Sequence, residues 1–168
     1  MKRVSLVFPA LLVVAAALAG YFFAQMQPSI DQTKKGAAVL VLGCIDPRFA
    51  NSLAWYLSHS QELHMDYDLF TLAGASLGVL QEKYPHWGQS FDDHIGLAIK
   101  LHDIQEIWVF DHMDCGMYKA TLDLKEDTDT HIHVEKLEEL KKYLKSKHPK
   151  LGYKGHIISL DGTVTKVV

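Results

Sequence analysis

The chain has 168 residues, which suits a single folded domain, and its 48% hydrophobic and 22% charged residues are ordinary for a globular core. Its formal net charge of -3, without any Lys/Arg cluster, gives no basic surface for nucleic acid. We therefore expect no nucleic-acid partner.

The first 26 residues differ from the rest in composition. Lys2 and Arg3 precede an apolar run over residues 4–24, and a bilayer is spanned by roughly 20 apolar residues. Residues 17–19 also carry the small-x-small pattern that signal peptidase cleaves. The pattern predicts a signal peptide or a membrane anchor over residues 1–26, with a buried N-terminal helix of a soluble protein as the other interpretation.

A polar linker over residues 27–36 and a domain over residues 37–168 are expected to follow. Because the positive charges lie ahead of the apolar run, the domain should be exported. It would be periplasmic or otherwise extracytoplasmic, either soluble after cleavage or anchored.

Apolar runs and helical spacing alternate along this domain. The runs predict strands at 37–43, 67–72, 104–110 and 155–160, with a hairpin at residues 161–162 leading into 163–168. Helices are predicted at 49–58, 90–102 and 134–147, and an irregular loop at 81–89. This order predicts a three-layer α/β/α domain with a mainly parallel central sheet of four or five strands.

The two cysteines of the chain lie just beyond predicted strands. Cys44 follows the first strand, and His112 and Cys115 follow the strand at 104–110. Ligands of open α/β sheets bind beyond the carboxyl ends of strands, so we expect these two ends to lie side by side. Two Cys and one His are ligands that zinc prefers, and three protein ligands leave a fourth position for water. A disulfide between Cys44 and Cys115 is the alternative, which the cysteine count in an exported protein favours.

Asp46 and Arg48 alternate with Cys44 just past the first strand, so an extended turn could point all three to one side. An Asp beside an Arg stays ionised and can accept a hydrogen bond from metal-bound water or bind the metal itself. A surface ion pair is the other interpretation. Residues 73–78 are small and let the backbone come close to another group, unless they only form a tight turn.

These motifs resemble the β-class carbonic anhydrases. That family has Cys-x-Asp-x-Arg after its first strand and His-x-x-Cys-Gly after a later strand. The matching residues of this chain are Cys44, Asp46, Arg48, His112, Cys115 and Gly116. Residues 72–75 resemble the family's Arg-Asn-Ala-Gly loop, and Asp-Cys-Gly-Met at 114–117 looks like its short bacterial branch.

The resemblance implies a Zn2+ ion held by Cys44, His112 and Cys115, with a zinc-bound hydroxide that converts CO2 to bicarbonate. Asp46 would orient this hydroxide, and Arg48 would hold Asp46. The resemblance also implies a homodimer or a larger homo-oligomer, and substrate contacts at Ala73, Gly74 and Gly116.

Three features of the sequence depart from the family pattern. Thr71 and Leu72 stand where the family has Arg-Asn, Pro47 stiffens the turn, and residues 84–87 are an insertion. The substrate therefore stays open, and hydrolysis of carbonyl sulfide or a similar small molecule is one alternative. A non-catalytic, membrane-tethered zinc-binding module is another. His131 and His133 also suggest metal binding, but a solvated helix start is the simpler interpretation.

Overall fold

The computed structural model describes residues 13–18, 20–21 and 30–168. The chain divides into two compact units, Met1–Thr33 and Lys34–Val168. Residues 13–18 and 20–21 of the first unit are helical. Most of the apolar run 4–24 lies outside the described residues, so the leader at 1–26 and the export of the domain stay predictions. Among the residues that are described, no helix has the length and apolar character needed to cross a membrane.

The second unit is built on a five-stranded sheet. Its strands are β1 Val39–Gly43, β2 Tyr67–Thr71, β3 Glu106–His112, β4 Gly152–Ile158 and β5 Val164–Lys166. Their spatial order is β2-β1-β3-β4-β5; the first four are parallel, and β5 pairs antiparallel with β4. Every residue of β1 is buried, as expected of a continuous apolar run in the middle of a parallel sheet.

Helices cover both faces of the sheet. They are α1 Ala50–Trp55, continued by the π-helical turn Tyr56–Ser60, then α2 Ala75–Val79, α3 Pro85–His102, α4 Gly116–Leu122 and α5 Thr130–Lys147. Successive residues of β1 point to opposite faces, so Leu42 packs in the core with α3 and α5, whereas Val41 packs in the core with Leu57 of the π-helical turn. The predicted three-layer α/β/α domain with a mainly parallel sheet is confirmed.

Two helices begin earlier than predicted. Helix α3 starts at Pro85, so the expected irregular loop over 81–89 is wrong for its second half. Proline suits the first turn of a helix, where its missing N–H would have no partner. Gly88 is buried in this turn, and a Cβ there would lie 2.7 Å from the Val79 carbonyl oxygen. Helix α5 starts at Thr130 because the Asp129 side chain caps it by accepting from the His131 N–H.

Candidate metal centre

Three strand ends meet at one edge of the sheet. Cys44 follows β1, and His112 ends β3, which lies beside β1 with Phe110 opposite Gly43. On the other side of β1, Thr71 of β2 is also opposite Gly43, and the chain runs on from there to Gly74. The expectation that the strand ends carrying Cys44 and His112 lie side by side is confirmed.

Cys44, His112 and Cys115 form a compact cluster. Their candidate ligand atoms all lie within 4.8 Å of one another. Cys115 and His112 are buried, and Cys44 is half-buried. Both cysteines carry free thiols, so the alternative of a Cys44–Cys115 disulfide is not what the structure forms.

The imidazole of His112 is oriented as a metal ligand. Its Nδ1 lies 2.9 Å from the Met113 carbonyl oxygen, so Nδ1 carries the proton that it donates there. Its Nε2 is buried and has no hydrogen-bond partner within the described part of the chain. An unpaired buried acceptor is costly, and a metal ion would satisfy it. The ring is held by stacking on Phe49, with 4.2 Å between ring centroids.

The neighbouring thiols of Cys44 and Cys115 shift each other's pKa in opposite directions. The pKa of Cys44 is lowered, chiefly because the Cys115 thiol donates to its sulfur, although burial works in the opposite direction. The pKa of Cys115 is raised because it supplies that hydrogen bond. The Gly74 N–H, 3.4 Å from the sulfur of Cys44, also stabilises the thiolate. Thiolate is the form that binds metal, so this donor set fits Zn2+.

Asp46 and Arg48 lie against this cluster. Arg48 binds Asp46 in a bidentate way, with Nε 3.0 Å from Oδ1 and Nη2 2.8 Å from Oδ2. The pKa of Asp46 is lowered, first because of this hydrogen bonding. Asp46 Oδ2 is also 4.0 Å from His112 Nε2. Arg48 is half exposed, as a surface ion pair would be, but the carboxylate is directed at the unpaired atom of the cluster.

Arg48 has a second carboxylate partner, Asp114, which the sequence analysis missed. Arg48 Nη1 is 2.9 Å from Asp114 Oδ2, and Nη2 is 3.0 Å from the Asp114 carbonyl oxygen. The pKa of Asp114 is lowered to about 2, chiefly by Lys119 and then by Arg48. The sequence did carry one indication of this role, because Asp114 lies between the predicted ligands His112 and Cys115. Asp114 has φ +60°, a left-handed conformation that Asp adopts more readily than most residues.

The residues predicted to contact substrate differ in how tightly they are held. Gly74 has φ +77°, and a Cβ there would lie 2.7 Å from Met117 Cγ, so both backbone conformation and space require glycine. Ala73 precedes it in the same loop. Gly116 begins α4, and a Cβ there would meet no atom of the described chain within 4 Å. Substrate binding by Ala73, Gly74 and Gly116 stays a prediction.

One expectation about the histidines is wrong. His133 was expected at a solvated helix start, but its side chain is fully buried between Asp111 and Asp127. The helix begins three residues before His133, which places it on the inward face. Nothing in the local sequence indicated the two carboxylates.

The fold and the site together define an α/β protein with a candidate Cys2His metal-binding site at the carboxyl ends of the parallel strands. Residues 34–168 match the family described as "Putative carbonic anhydrase", and the chain belongs to that family.

Two similar proteins come from Rickettsia, and both are described as uncharacterized. The protein of Rickettsia bellii is 32% identical over 140 residues, covering 81% of this chain and 85% of the relative. The protein of Rickettsia conorii is 29% identical over 140 residues, covering 81% and 75%.

Solved structures of carbonic anhydrases share the fold. The enzyme of Streptococcus mutans has a TM-score of 0.57 at 18% identity, covering 99% of this chain and 100% of its own. One of two tetrameric β-carbonic anhydrases of Sordaria macrospora has a TM-score of 0.52 at 14% identity, covering 97% and 98%. At these identities the likeness shows the fold alone.

Proposed function

We propose that this protein is a zinc-dependent carbonic anhydrase, which converts CO2 and water reversibly to bicarbonate and a proton. The observation that carries the proposal is the cluster of Cys44, His112 and Cys115 within 4.8 Å, with the unpaired His112 Nε2 facing Asp46. Membership of the carbonic anhydrase family supports it.

Cys44, His112 and Cys115 would hold the Zn2+ ion. When bound, zinc lowers the pKa of its water from 15.7 to about 7, which supplies a nucleophile near neutral pH. Three protein ligands leave the fourth position of a tetrahedral site for that water.

Asp46 and Arg48 would then orient the reaction. Asp46 stays ionised beside Arg48, so it accepts a hydrogen bond and donates none. Its Oδ2 lies on the His112 side of the cluster, where it can fix the direction of the reacting water. Arg48 prevents Asp46 from turning away, because it bonds both carboxylate oxygens and also the Asp114 turn.

We also propose that the chain forms a homo-oligomer. Strand β2 is one of the two edge strands of the sheet in the described domain, and Leu69 on it is 56% exposed. The relatives from Sordaria macrospora are described as tetrameric. Light scattering on the purified full chain measures the mass, and a monomer at micromolar concentration would contradict this proposal.

The decisive experiment is a stopped-flow assay of CO2 hydration with the full chain, together with its zinc content. We expect Cys44→Ser and His112→Ala to lose bound zinc and to fall to the uncatalysed rate, because each removes one of three ligands. His131→Ala is the matched control, since it removes an exposed histidine at the start of α5 and should keep both zinc and activity.

Two results would contradict the proposed function. One is full activity in His112→Ala, and the other is a zinc-loaded wild-type chain that does not accelerate CO2 hydration. In the second case the same preparation is assayed with carbonyl sulfide, which tests the alternative hydrolase on the same site.

A further inference from the structure

A buried set of polar side chains lies behind the metal centre; we call Asp111, His133 and Asp127 the carboxylate–histidine network. The exposed fractions of these residues are 1%, 0% and 2%. His133 Nε2 is 3.0 Å from Asp127 Oδ1, and His133 Nδ1 is 3.5 Å from Asp111 Oδ2. His133 of α5 therefore bonds Asp127 in the loop before α5 through Nε2, while its Nδ1 faces Asp111 of strand β3 at a longer distance and has no hydrogen-bond partner among the described residues.

One end of the network contacts the metal-binding turn directly. Asp127 Oδ2 accepts a hydrogen bond of 2.8 Å from the backbone N–H of Cys115. The carbonyl oxygen of Asp127 accepts another, of 3.0 Å, from the N–H of Asp114. Asp127 thus accepts hydrogen bonds from two successive backbone N–H groups, those of Asp114 and Cys115, at the end of the turn that follows β3.

The other end reaches the loop beside Cys44. Asp111, the neighbour of His112, accepts from the Ser76 N–H at 3.0 Å and from the Ser76 hydroxyl at 2.6 Å. The Tyr118 hydroxyl donates to the same carboxylate at 2.7 Å. Ser76 lies two residues after Gly74, whose N–H lies against the sulfur of Cys44. The network therefore bonds the Cys115 N–H directly, includes the residue before His112, and reaches Cys44 only indirectly, through the segment from Gly74 to Ser76.

Such a network is not expected to add much to the free energy of unfolding. Burying two carboxylates costs several kcal/mol per ion, on the order of what their pairing returns, and apolar residues of similar size often serve a core better. Burial opposes protonation of His133, but Asp111 and Asp127 raise its pKa, so it can balance their charge. The core on this face already contains Leu137 and Leu140 of α5, so the helix does not need His133 in order to pack.

We propose that Asp127 and His133 are positioning residues of the metal centre. Asp127 holds the backbone at Cys115 in its ligand-binding conformation by accepting from the Cys115 N–H, and His133 holds Asp127 in place. The inference rests on the proposed metal centre, because it assigns these residues a role toward that site. They touch neither substrate nor metal and act through Cys115.

The test is metal affinity, measured on the full chain without any assay of catalysis. Co2+ bound to thiolates gives a charge-transfer absorption band, and Zn2+ affinity follows from competition with a chelator. We expect Asp127→Ala to weaken Zn2+ binding by about 10- to 100-fold, the usual effect of losing a partner of a metal ligand. Its cobalt band should also change, because the geometry of Cys115 is no longer fixed.

Asp92→Ala is the matched control. Asp92 is a half-buried carboxylate of α3 that pairs with His148 at 3.2 Å and with Lys147. These partners precede the start of β4, so they lie at the opposite end of the sheet from the ligands. We expect this variant to lose stability while its metal affinity and cobalt band stay unchanged.

Each outcome decides the question. Wild-type affinity in Asp127→Ala, or an equal loss in Asp92→Ala, would overturn the positioning role. If Asp127→Ala does not fold, Asp127→Leu takes its place, because leucine has a similar shape but cannot accept from the Cys115 N–H; a weaker affinity supports the proposal, and an unchanged one overturns it. A wild-type chain that binds neither Co2+ nor Zn2+ would overturn the metal centre itself, which distinguishes that failure from a failure of positioning alone.

Discussion

Arg48 connects the two turns that carry the candidate metal ligands. Its guanidinium binds the Asp46 carboxylate on the turn after β1 and both the side chain and the carbonyl oxygen of Asp114 on the turn after β3. An exposed ion pair between two side chains contributes about 0 to 1 kcal/mol, so this arrangement matters for geometry more than for stability.

Removal of Arg48 should therefore separate activity from metal binding. We expect Arg48→Ala to keep its zinc, because no ligand atom is lost, and to lower kcat by about 10- to 100-fold, because Asp46 is no longer held in place. Stopped-flow CO2 hydration and metal analysis on the same sample measure both quantities.

Lys136→Ala is the control for this change, since it removes a cation that pairs only with Glu139 on the surface of α5 among the contacts described. Wild-type kcat in Arg48→Ala would show that Asp46 needs no partner. Loss of zinc together with activity would instead give Arg48 a structural role.

The main site residues could be predicted from the sequence because each lies at the end of a strand or just beyond it, within five residues of another. Cys44, Asp46 and Arg48 share one turn, and His112 and Cys115 share the next. Asp127 could not be predicted, because it reaches the Cys115 N–H from 12 residues away through a connection without a motif. The burial of His133 depends on where α5 begins. The helical periodicity predicted a start at residue 134, four residues later than the observed start at Thr130.

At the scale of elements, the short helix α2 is the main feature that sequence patterns missed. Residues 73–78 were expected to form a loop or a tight turn, because they are mostly small and carry no helical periodicity. In the structure, residues 75–79 form a buried helical turn between β2 and α3, with Ser76 bonded to Asp111. Helices this short depend on tertiary packing, which a single sequence does not display.

Two glycines test how tightly this turn is packed. A Cβ on Gly78 of α2 would lie 2.2 Å from the Ala73 carbonyl oxygen, a clash with backbone that no rotamer relieves. We expect Gly78→Ala to lower the free energy of unfolding by about 1–3 kcal/mol, the usual cost of overpacking. Urea denaturation of the full chain measures it.

Gly96 provides the matched comparison, because it lies in the middle of α3 and a Cβ there would meet no described atom within 4 Å. Gly96→Ala should raise the free energy of unfolding by about 0.5–1 kcal/mol, since alanine loses less backbone entropy in a helix. Equal effects of the two substitutions would contradict the close packing of α2.

At the scale of the whole molecule, the two faces of the sheet each hold a buried histidine, and the pKa values of these two histidines are shifted in opposite directions. His133, among the carboxylates, has a raised pKa in spite of burial. His156 of β4 lies in the core on the other face, stacked on Phe110 with 4.4 Å between centroids, and burial lowers its pKa from 6.5 to about 4. The core around His156 thus disfavours a charged imidazole, whereas the carboxylates beside His133 favour one.

His156 should therefore make the fold sensitive to acid. The unfolded chain takes up a proton at His156 below about pH 6.5, whereas the folded chain resists it down to about pH 4. Stability from this residue is present above pH 6.5 and is lost as the pH falls through this range. Between pH 7 and pH 5 the loss should be about 2 kcal/mol of the free energy of unfolding.

The variant His156→Phe isolates this contribution, because phenylalanine keeps an aromatic ring against Phe110 and cannot titrate. Urea denaturation at pH 7 and pH 5 gives the drop in the free energy of unfolding for each protein, and the variant should lose about 2 kcal/mol less than the wild type. His131→Phe, at an exposed position, should lose as much as the wild type. If His156→Phe is as acid-sensitive as the wild type, the unfolding in acid begins elsewhere, and the carboxylates around His133 and Arg48 become the groups to substitute next.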